Sequence, residues 1–131
     1  MNELIRIDET NIVSILNSGN KLDIGKPFSN QIYLISASIA GSYYVDDIQE
    51  LIKEIKIGMK LHFFREPDNK YDELAIVVKN QNKEKLGFIP RKQNPILARL
   101  MDAGKLIYGT VKKIQNDNNY INIEIEIFME D

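Results

Sequence analysis

Tyr71 and Asp72 stand side by side in a polar segment that separates two apolar runs of the sequence. Pro67 opens this segment, and its ring fixes its own backbone and favours extended geometry in the residue before it. Asp68 and Asn69 follow, and both residue types tolerate tight turns and hydrogen-bond to their own backbone. An aromatic face beside a carboxylate acceptor offers more chemistry than a plain connection needs, which makes the segment a candidate binding site. The alternative is that Tyr71 and Asp72 only cap the turn.

Other aromatic and basic residues could join this pair in a site for single-stranded nucleic acid. In sequence-tolerant binding, aromatic side chains act as stacking platforms for bases, and cations meet the phosphates. Asp72 repels phosphate, so it suits a ligand that presents a hydroxyl donor, as a free 3′ end does. The aromatic candidates are Tyr43, Tyr44, Tyr71 and Phe88, and the cationic ones are Arg91, Lys92 and Lys70. The alternative is that Tyr43 or Tyr44 is a half-buried wall residue of the fold.

Catalytic and metal-binding interpretations find less support in the sequence. Hard cations bind clustered carboxylates, but the acidic cluster here lacks the glycine and the terminal Glu of an EF-hand loop, which favours a solvated acidic loop. His62 has no Ser or Cys nucleophile placed beside it by a recognisable motif, and the chain has no phosphate-binding or zinc-protease signature. The sequence therefore predicts a protein without catalysis, metal or cofactor. The acidic cluster comprises Glu66, Asp68, Asp72 and Glu73.

The bulk composition predicts one soluble globular domain in the cytoplasm. A chain of 131 residues is long enough for a real core, and the absence of cysteine excludes disulfides and thiolate chemistry and favours an intracellular setting. No apolar run approaches the roughly 18 residues of a membrane span, and the N-terminus does not read as a signal peptide, so we expect no membrane partner.

The net charge of −2 is unevenly distributed along the chain. Residues 41–113 carry 14 Lys and Arg against 10 Asp and Glu, a net charge of +4, whereas the remaining residues carry −6. This distribution permits a local phosphate-binding surface. A solvated surface of mixed charge explains the counts almost as well.

Hydrophobic periodicity predicts short strands and two helices after an N-terminal arm or linker, residues 1–30, which could hold a short helix. The first helix is capped by Asp46 or Asp47, and its apolar face runs from Ile48 to Ile55. The second helix is capped by Asn94, with Pro95 at its first position. The predicted strands cover residues 31–40, 59–64, 74–79, 85–89, 106–114 and 120–128, with a turn at 116–119.

These elements predict a mostly β fold, a small antiparallel barrel of about six strands with two flanking helices, in a domain spanning 31–131. The last strand alternates strictly, with isoleucines on one face and acidic residues on the other. Its acidic face is interpreted as the wet side of the strand, or alternatively as an edge that pairs with another chain. The acidic residues of this segment are Glu124, Glu126, Glu130 and Asp131.

Three segments together resemble the HIRAN domain, over roughly residues 32–114. Residues 63–78 read FFREPDNKYDELAIVV, residues 85–91 read KLGFIPR, and a strand ending in Gly41 is followed closely by two tyrosines. The resemblance implies a compact, OB-like β-barrel flanked by two helices. It also implies a site that captures a 3′ end of single-stranded DNA without catalysis.

The resemblance implies a role for each candidate residue. Tyr43 and Tyr71 would stack on the terminal bases, and Asp72 would accept a hydrogen bond from the 3′-hydroxyl. Asn69 would steady the loop or contact the end, and Arg91 would meet the phosphate. The full set of implied DNA-binding residues is Tyr43, Tyr44, Asn69, Tyr71, Asp72, Phe88 and Arg91.

Two positions depart from the family pattern. Ser42 stands where the fork-remodelling members carry an arginine before their aromatic residues, and the loss of this cation predicts weaker phosphate contact. Phe88, which would line the pocket, replaces a more polar residue that some members carry.

The expected function is that of a non-catalytic module that binds single-stranded DNA or DNA 3′ ends, as an accessory in repair, replication or restriction. Its expected partners are DNA and a helicase or nuclease acting in trans, because larger family members fuse this module to such engines. The alternative is a protein–protein interaction module that keeps the barrel and has lost DNA binding.

Overall fold

The computed structural model describes residues 30–117 and 120–130. The predicted N-terminal arm, apart from Asn30, lies outside the described residues, as do two residues of the turn predicted at 116–119. Within the described part, no helix is long and apolar enough to cross a membrane. The elements are β1 (Gln31–Ser38), a 3₁₀ helix (Ser42–Tyr44), α1 (Ile48–Ile52), β2 (Lys60–Arg65), β3 (Ile76–Lys79), β4 (Lys85–Phe88), α2 (Asn94–Asp102), β5 (Leu106–Asp117) and β6 (Tyr120–Glu130).

The six strands form one antiparallel sheet in the order β1-β6-β5-β2-β3-β4. The chain leaves β1 and then crosses to the opposite edge strand, where Ala40 and Phe88 exchange backbone hydrogen bonds of 2.7 and 2.8 Å. This bridge joins the two ends of the curled sheet. The expected mostly β, OB-like barrel of six antiparallel strands with two helices is therefore confirmed.

The core is filled from one face of the long strands. In β6, Ile123, Ile125 and Ile127 are fully buried, whereas the intervening glutamates remain partly exposed, as the alternating pattern predicts. The interpretation of β6 as an edge strand is wrong, because β6 lies between β1 and β5. Glu124 on its polar face instead pairs with Lys112 at 3.4 Å.

The two helices begin differently from the prediction. Asp47 precedes α1 with a left-handed backbone (φ 61°), and its side chain makes no capping bond, since a cap needs an extended backbone to reach the first N–H groups. The helix ends at Ile52, although Ile55 is still buried. Asn94 is the first residue of α2 rather than its cap. Its side chain is engaged elsewhere, as described below.

Strand boundaries shift for reasons of hydrogen bonding. β5 and β6 stay paired out to Asp117 and Tyr120, beyond the apolar pattern, because a backbone ladder does not require apolar side chains. β3 begins at Ile76 rather than at Leu74, because the N–H groups of Leu74 and Ala75 both donate to Asp72 in the preceding loop.

Candidate functional site

The β2–β3 loop, residues 66–75, is organised internally by Asn69. Asn69 Oδ1 accepts hydrogen bonds from the backbone N–H of Tyr71 at 2.8 Å and of Asp72 at 3.0 Å. Its Nδ2 donates to Glu66 Oε1 at 3.1 Å, and the Glu66 N–H closes the loop base on the Ala75 carbonyl at 3.0 Å. The Asn69 side chain is therefore used within the loop, where it sets the backbone path of Tyr71 and Asp72.

Arg65, the last residue of β2, clamps the far side of this loop. Its guanidinium donates to the carbonyls of Ala75 at 2.8 Å and Glu73 at 3.1 Å. It also forms a two-pronged pair with Asp102 at the end of α2, at 2.9 and 3.2 Å. Because the Arg65 side chain is only 15% exposed, these charge-assisted bonds tie the loop firmly to the helix.

The Asp72 carboxylate is held at both oxygens. Oδ1 accepts the Leu74 N–H at 2.9 Å, which is the turn-capping role anticipated as the plain alternative. Oδ2 accepts a 2.8 Å hydrogen bond from Asn94 Nδ2, and Arg91 Nε lies 3.6 Å from the same oxygen. Asn94 is buried, and the Asp72 side chain remains 21% exposed. Each oxygen retains a lone pair for a further donor.

These contacts lower the pKa of Asp72. The hydrogen bond from Asn94 contributes most, followed by the bond from the Leu74 N–H, while partial desolvation opposes both. The charges of Arg91 and Arg65 lower the pKa of the carboxyl further. Asp72 is therefore an ionised, acceptor-only group at neutral pH.

Arg91 is fixed by the same loop that it faces. Its Nη2 donates to the Tyr71 carbonyl at 2.6 Å, while the side chain remains 71% exposed. The guanidinium therefore stands in solvent beside the Asp72 carboxylate, in a defined orientation. The site presents an anion and a cation next to each other.

A cavity of about 230 Å³ opens between the β2–β3 loop, the end of β4 and the start of α2, and we call it the Asp72 cavity. Apolar side chains and the ring of Phe88 form part of its wall, and polar groups supply the rest. Its volume suits one small ring system, since pockets for larger ligands start at roughly 300 Å³. It is lined by Ala40, Asn69, Tyr71, Asp72, Ala75, Phe88, Ile89, Arg91 and Asn94.

The structure thus brings five of the seven candidate residues to one cavity, and the two adjacent tyrosines do not line it. Tyr43 and Tyr44 lie on the 3₁₀ helix after Gly41, whose backbone is left-handed (φ 76°). Both rings are exposed (61% and 85%) and pack edge to face, with centroids 5.7 Å apart. The alternative that either tyrosine is a half-buried wall residue is therefore wrong. Tyr71, which lines the cavity, is as exposed as Tyr44, at 85%.

Gly87, in the segment 85–91, occupies a position that only glycine can fill. A Cβ there would lie 2.5 Å from both the Ala40 carbonyl oxygen and Ile39 Cγ2, so only glycine permits the close approach of the Ala40–Phe88 bridge. The neighbouring Phe88 is half-buried, and Lys85 Nζ lies 4.3 Å from the centroid of its ring.

Sequence reasoning missed the supporting residues. The sequence pattern predicts Asn94 only as a helix cap, and it predicts no role for Arg65, which comes directly before Glu66 and Pro67. Ser42 is buried, and its Oγ donates to the Leu86 carbonyl at 2.8 Å, so this position supports the sheet edge beneath the tyrosines. Spacing along the chain carries no signal for contacts between residues 22 or 44 positions apart.

Two acidic residues of the loop, Glu66 and Asp72, have separate hydrogen-bond partners. Glu66 accepts from Asn69, and Asp72 accepts from Asn94 and Leu74. Among residues 30–117 and 120–130, no three His, Cys, Asp or Glu side chains are grouped so that they could hold a metal ion.

The family model of the HIRAN domain matches residues 32–130, about three quarters of the chain. The chain belongs to the HIRAN domain family. The match extends past residue 114, the end of the stretch over which the sequence resembles the family, and takes in the whole β5–β6 pair. A comparison with curated proteins finds no match.

Solved structures share the fold of this HIRAN domain. A crystal structure of a protein from Lactobacillus plantarum superposes with a TM-score of 0.73 at 32% identity, covering 79% of this chain and 98% of that one. The crystal structure of the HIRAN domain of human HLTF gives a TM-score of 0.61 at 21% identity, covering 76% and 78%. The HLTF HIRAN domain in its DNA-bound conformation, solved by NMR, gives 0.54 at 21% identity, covering 77% and 79%.

Proposed function

We propose that this HIRAN domain is a non-catalytic module that binds single-stranded DNA by its free 3′-hydroxyl end. The Asp72 cavity takes the terminal nucleoside, and Asp72 accepts a hydrogen bond from the 3′-hydroxyl. The module thereby brings a helicase or nuclease, supplied in trans, to DNA ends during repair, replication or restriction. Family membership and the DNA-bound conformation of a relative support DNA as the ligand class.

The observation that carries the proposal is the ionised Asp72 at the cavity. A carboxylate repels phosphate, so a nucleic-acid site that places one at its wall favours the part of the ligand that carries a donor and no charge. The 3′-hydroxyl of a terminal nucleotide meets this condition, whereas an internal phosphodiester does not. Asn94 and Leu74 occupy one lone pair on each oxygen and leave another for such a hydroxyl.

The surrounding groups supply the remaining contacts. Tyr71 offers an exposed ring at the cavity for stacking, and Phe88 offers a half-buried apolar wall. Arg91 stands next to Asp72 and is largely exposed, so it can meet the phosphate that follows the terminal nucleoside. Tyr43 and Tyr44 lie outside the cavity and are available to the bases further from the end.

The test compares short single-stranded oligonucleotides that end in a 3′-hydroxyl or a 3′-phosphate, by fluorescence anisotropy at two salt concentrations. Wild type should prefer the hydroxyl end by roughly tenfold or more, since a hydrogen bond to a charged group is lost and a like charge is introduced. Asp72→Asn should remove this preference, and Tyr120→Ala, at an exposed tyrosine outside the cavity, should keep it. Equal binding of both ends by wild type would refute end capture and leave a general electrostatic surface.

A second candidate function is protein–protein interaction by a barrel that has lost DNA binding. It is favoured by Ser42, which is buried and bonded to Leu86, so the position offers no cation to a phosphate. The same assay separates the two candidates. Absence of oligonucleotide binding at low salt would favour the protein-binding function.

A further inference from the structure

A second concavity lies on the other side of the α2 start, between that helix and β1. We call it the β1–α2 groove. It has a volume of about 260 Å³, and aliphatic side chains from both elements form most of its wall. Its lining residues are Leu34, Ile35, Lys92, Gln93, Ile96, Leu97 and Leu100.

Two aliphatic side chains that line the groove are exposed to solvent. Ile96 on α2 is 69% exposed, and Ile35 on β1 is 36% exposed. Ile32, further along β1, is also 39% exposed, whereas the Tyr33 ring packs against Phe128 of β6. Exposed aliphatic side chains that line one concavity of a small domain mark an interaction site more often than isolated exposed residues do.

The strand that borders the groove is an edge of the sheet. Among residues 30–117 and 120–130, β1 is paired with β6 on one side only, and its link to the opposite edge strand is the bridge beyond its end, at Ala40. An edge strand presents a row of N–H and C=O groups that an extended peptide can pair with. Alternate side chains of that peptide would then enter the groove.

One buried polar atom of a residue that lines the groove lacks a hydrogen-bond donor. Gln93 Oε1 is buried and has no partner among the described residues. Buried amide oxygens in folded proteins are nearly always paired, so this side chain gains a partner if it turns toward a ligand N–H. A peptide backbone or side-chain amide supplies such a donor.

The charge at the groove favours an acidic ligand. Lys92 belongs to its lining, which contains no acidic residue among the residues described. Arg99, which is exposed, follows Ile96 by three positions and so lies on the same side of α2. Asp102, the acidic residue of α2, is paired with Arg65 on the side of the β2–β3 loop.

From the β1 edge, which no other described strand pairs with, the aliphatic wall and the positive rim together, we infer that the β1–α2 groove binds an extended peptide that alternates aliphatic residues with Asp or Glu. The peptide adds to β1 as a further strand, its aliphatic side chains lie against Ile35 and Ile96, and its carboxylates face Lys92 and Arg99. Arg91 and Asn94 line the Asp72 cavity, while Lys92 and Gln93 line the groove. The protein that carries this peptide would therefore be held next to the DNA end that we propose for the Asp72 cavity.

The experiment selects short random peptides displayed on phage against the full immobilised chain. Ile96→Glu places a charge in the groove at an exposed position, so folding should be preserved. Ile57→Glu is the matched control, because Ile57 is 64% exposed and lies outside the groove. The wild type and Ile57→Glu should enrich an alternating aliphatic-acidic consensus, and Ile96→Glu should not. The enriched peptide should bind Ile96→Glu at least about tenfold more weakly by anisotropy.

Other outcomes overturn the inference. A consensus that survives Ile96→Glu, a basic consensus, or no consensus at all would each contradict it. Self-association of the wild type that is lost in Ile96→Glu, measured by sedimentation, would assign the groove to a second copy of the chain instead. Displacement of the peptide by an oligonucleotide, with loss of DNA binding in Ile96→Glu, would assign it to the DNA path.

Discussion

Asn94 donates a 2.8 Å hydrogen bond from Nδ2 to Oδ2 of Asp72, across 22 positions of sequence. Asn94 begins α2 and is buried, whereas Asp72 lies in the β2–β3 loop and is partly exposed. The bond joins the helix to the loop and keeps the carboxylate at one orientation beside the cavity. The start of α2 thus orients the Asp72 carboxylate at the proposed DNA-end site and lowers its pKa.

Asn94→Ala should raise the pKa of the Asp72 carboxyl, because the largest contribution to its lowered pKa is this hydrogen bond. The pKa can be followed by NMR titration of the aspartate carboxyl carbons. The control is Asn82→Ala in an exposed turn, which should leave the Asp72 titration unchanged. An unchanged Asp72 titration in Asn94→Ala would show that the bond is not the main cause.

Asp72 should also make stability depend on acid pH. Its folded-state pKa is lowered, so its contribution is fully present above the unfolded value, about 3.9, and is lost as pH falls through the folded value. The difference in unfolding free energy between wild type and Asp72→Asn should therefore be constant from pH 5 to 8 and shrink below roughly pH 4. Urea unfolding across this range measures it. A difference that grows toward acid pH would contradict the direction of the pKa shift.

Much of the fold follows from the sequence because its signals are local. The alternation of Ile123, Ile125 and Ile127 predicts a half-buried strand, and Pro95 marks the first turn of α2. Boundaries are less predictable where backbone hydrogen bonds compete. Asp72 accepts a hydrogen bond from the Leu74 N–H, so β3 begins only at Ile76. The strand propensity of Leu74 does not predict this boundary.

The candidate site, like the fold, could be predicted only in part from the sequence. The residue types and spacing of Tyr71, Asp72 and Arg91 predict their chemistry, and the structure brings all three to one cavity. The positions of Arg65 and Asn94 could not be predicted from spacing, because their partners lie in other elements. Long-range contacts depend on how the loop and α2 pack together, which a single sequence does not encode in any local pattern.

Gly87→Ala should destabilise the domain by about 3 kcal/mol, because the added Cβ would collide with the Ala40 carbonyl oxygen and with Ile39. Gly58→Ala is the matched control. Its backbone is also left-handed (φ 88°), but a Cβ there meets nothing within 4 Å, so the cost should be about 1–2 kcal/mol of backbone strain. Urea unfolding gives both values, and faster amide exchange at Ala40 and Phe88 should accompany only Gly87→Ala. Equal losses in the two variants would argue against the close approach.

Arg65→Lys should cost about 2 kcal/mol of unfolding free energy, although the charge is kept. Lysine cannot reproduce the fork that reaches Asp102 and the carbonyls of Ala75 and Glu73. Arg99→Lys, at an exposed position on α2, should change stability by less than about 0.5 kcal/mol. If both substitutions are equally mild in urea unfolding, the clamp on the loop is not a significant source of stability.

Tyr71→Ala and Tyr43→Ala should weaken DNA binding in different ways. Removing one stacking ring should cost about 1–3 kcal/mol of binding free energy in either case. Because Tyr71 lines the Asp72 cavity and Tyr43 does not, only Tyr71→Ala should also reduce the preference for a 3′-hydroxyl over a 3′-phosphate. Both rings are largely exposed, so the free energy of unfolding in urea should change by no more than about 0.5 kcal/mol.

Anisotropy with both oligonucleotides measures affinity and end preference together, with Tyr120→Ala as the exposed-tyrosine control. Loss of end preference in Tyr43→Ala but not in Tyr71→Ala would move the terminal nucleoside from the cavity to the 3₁₀ helix.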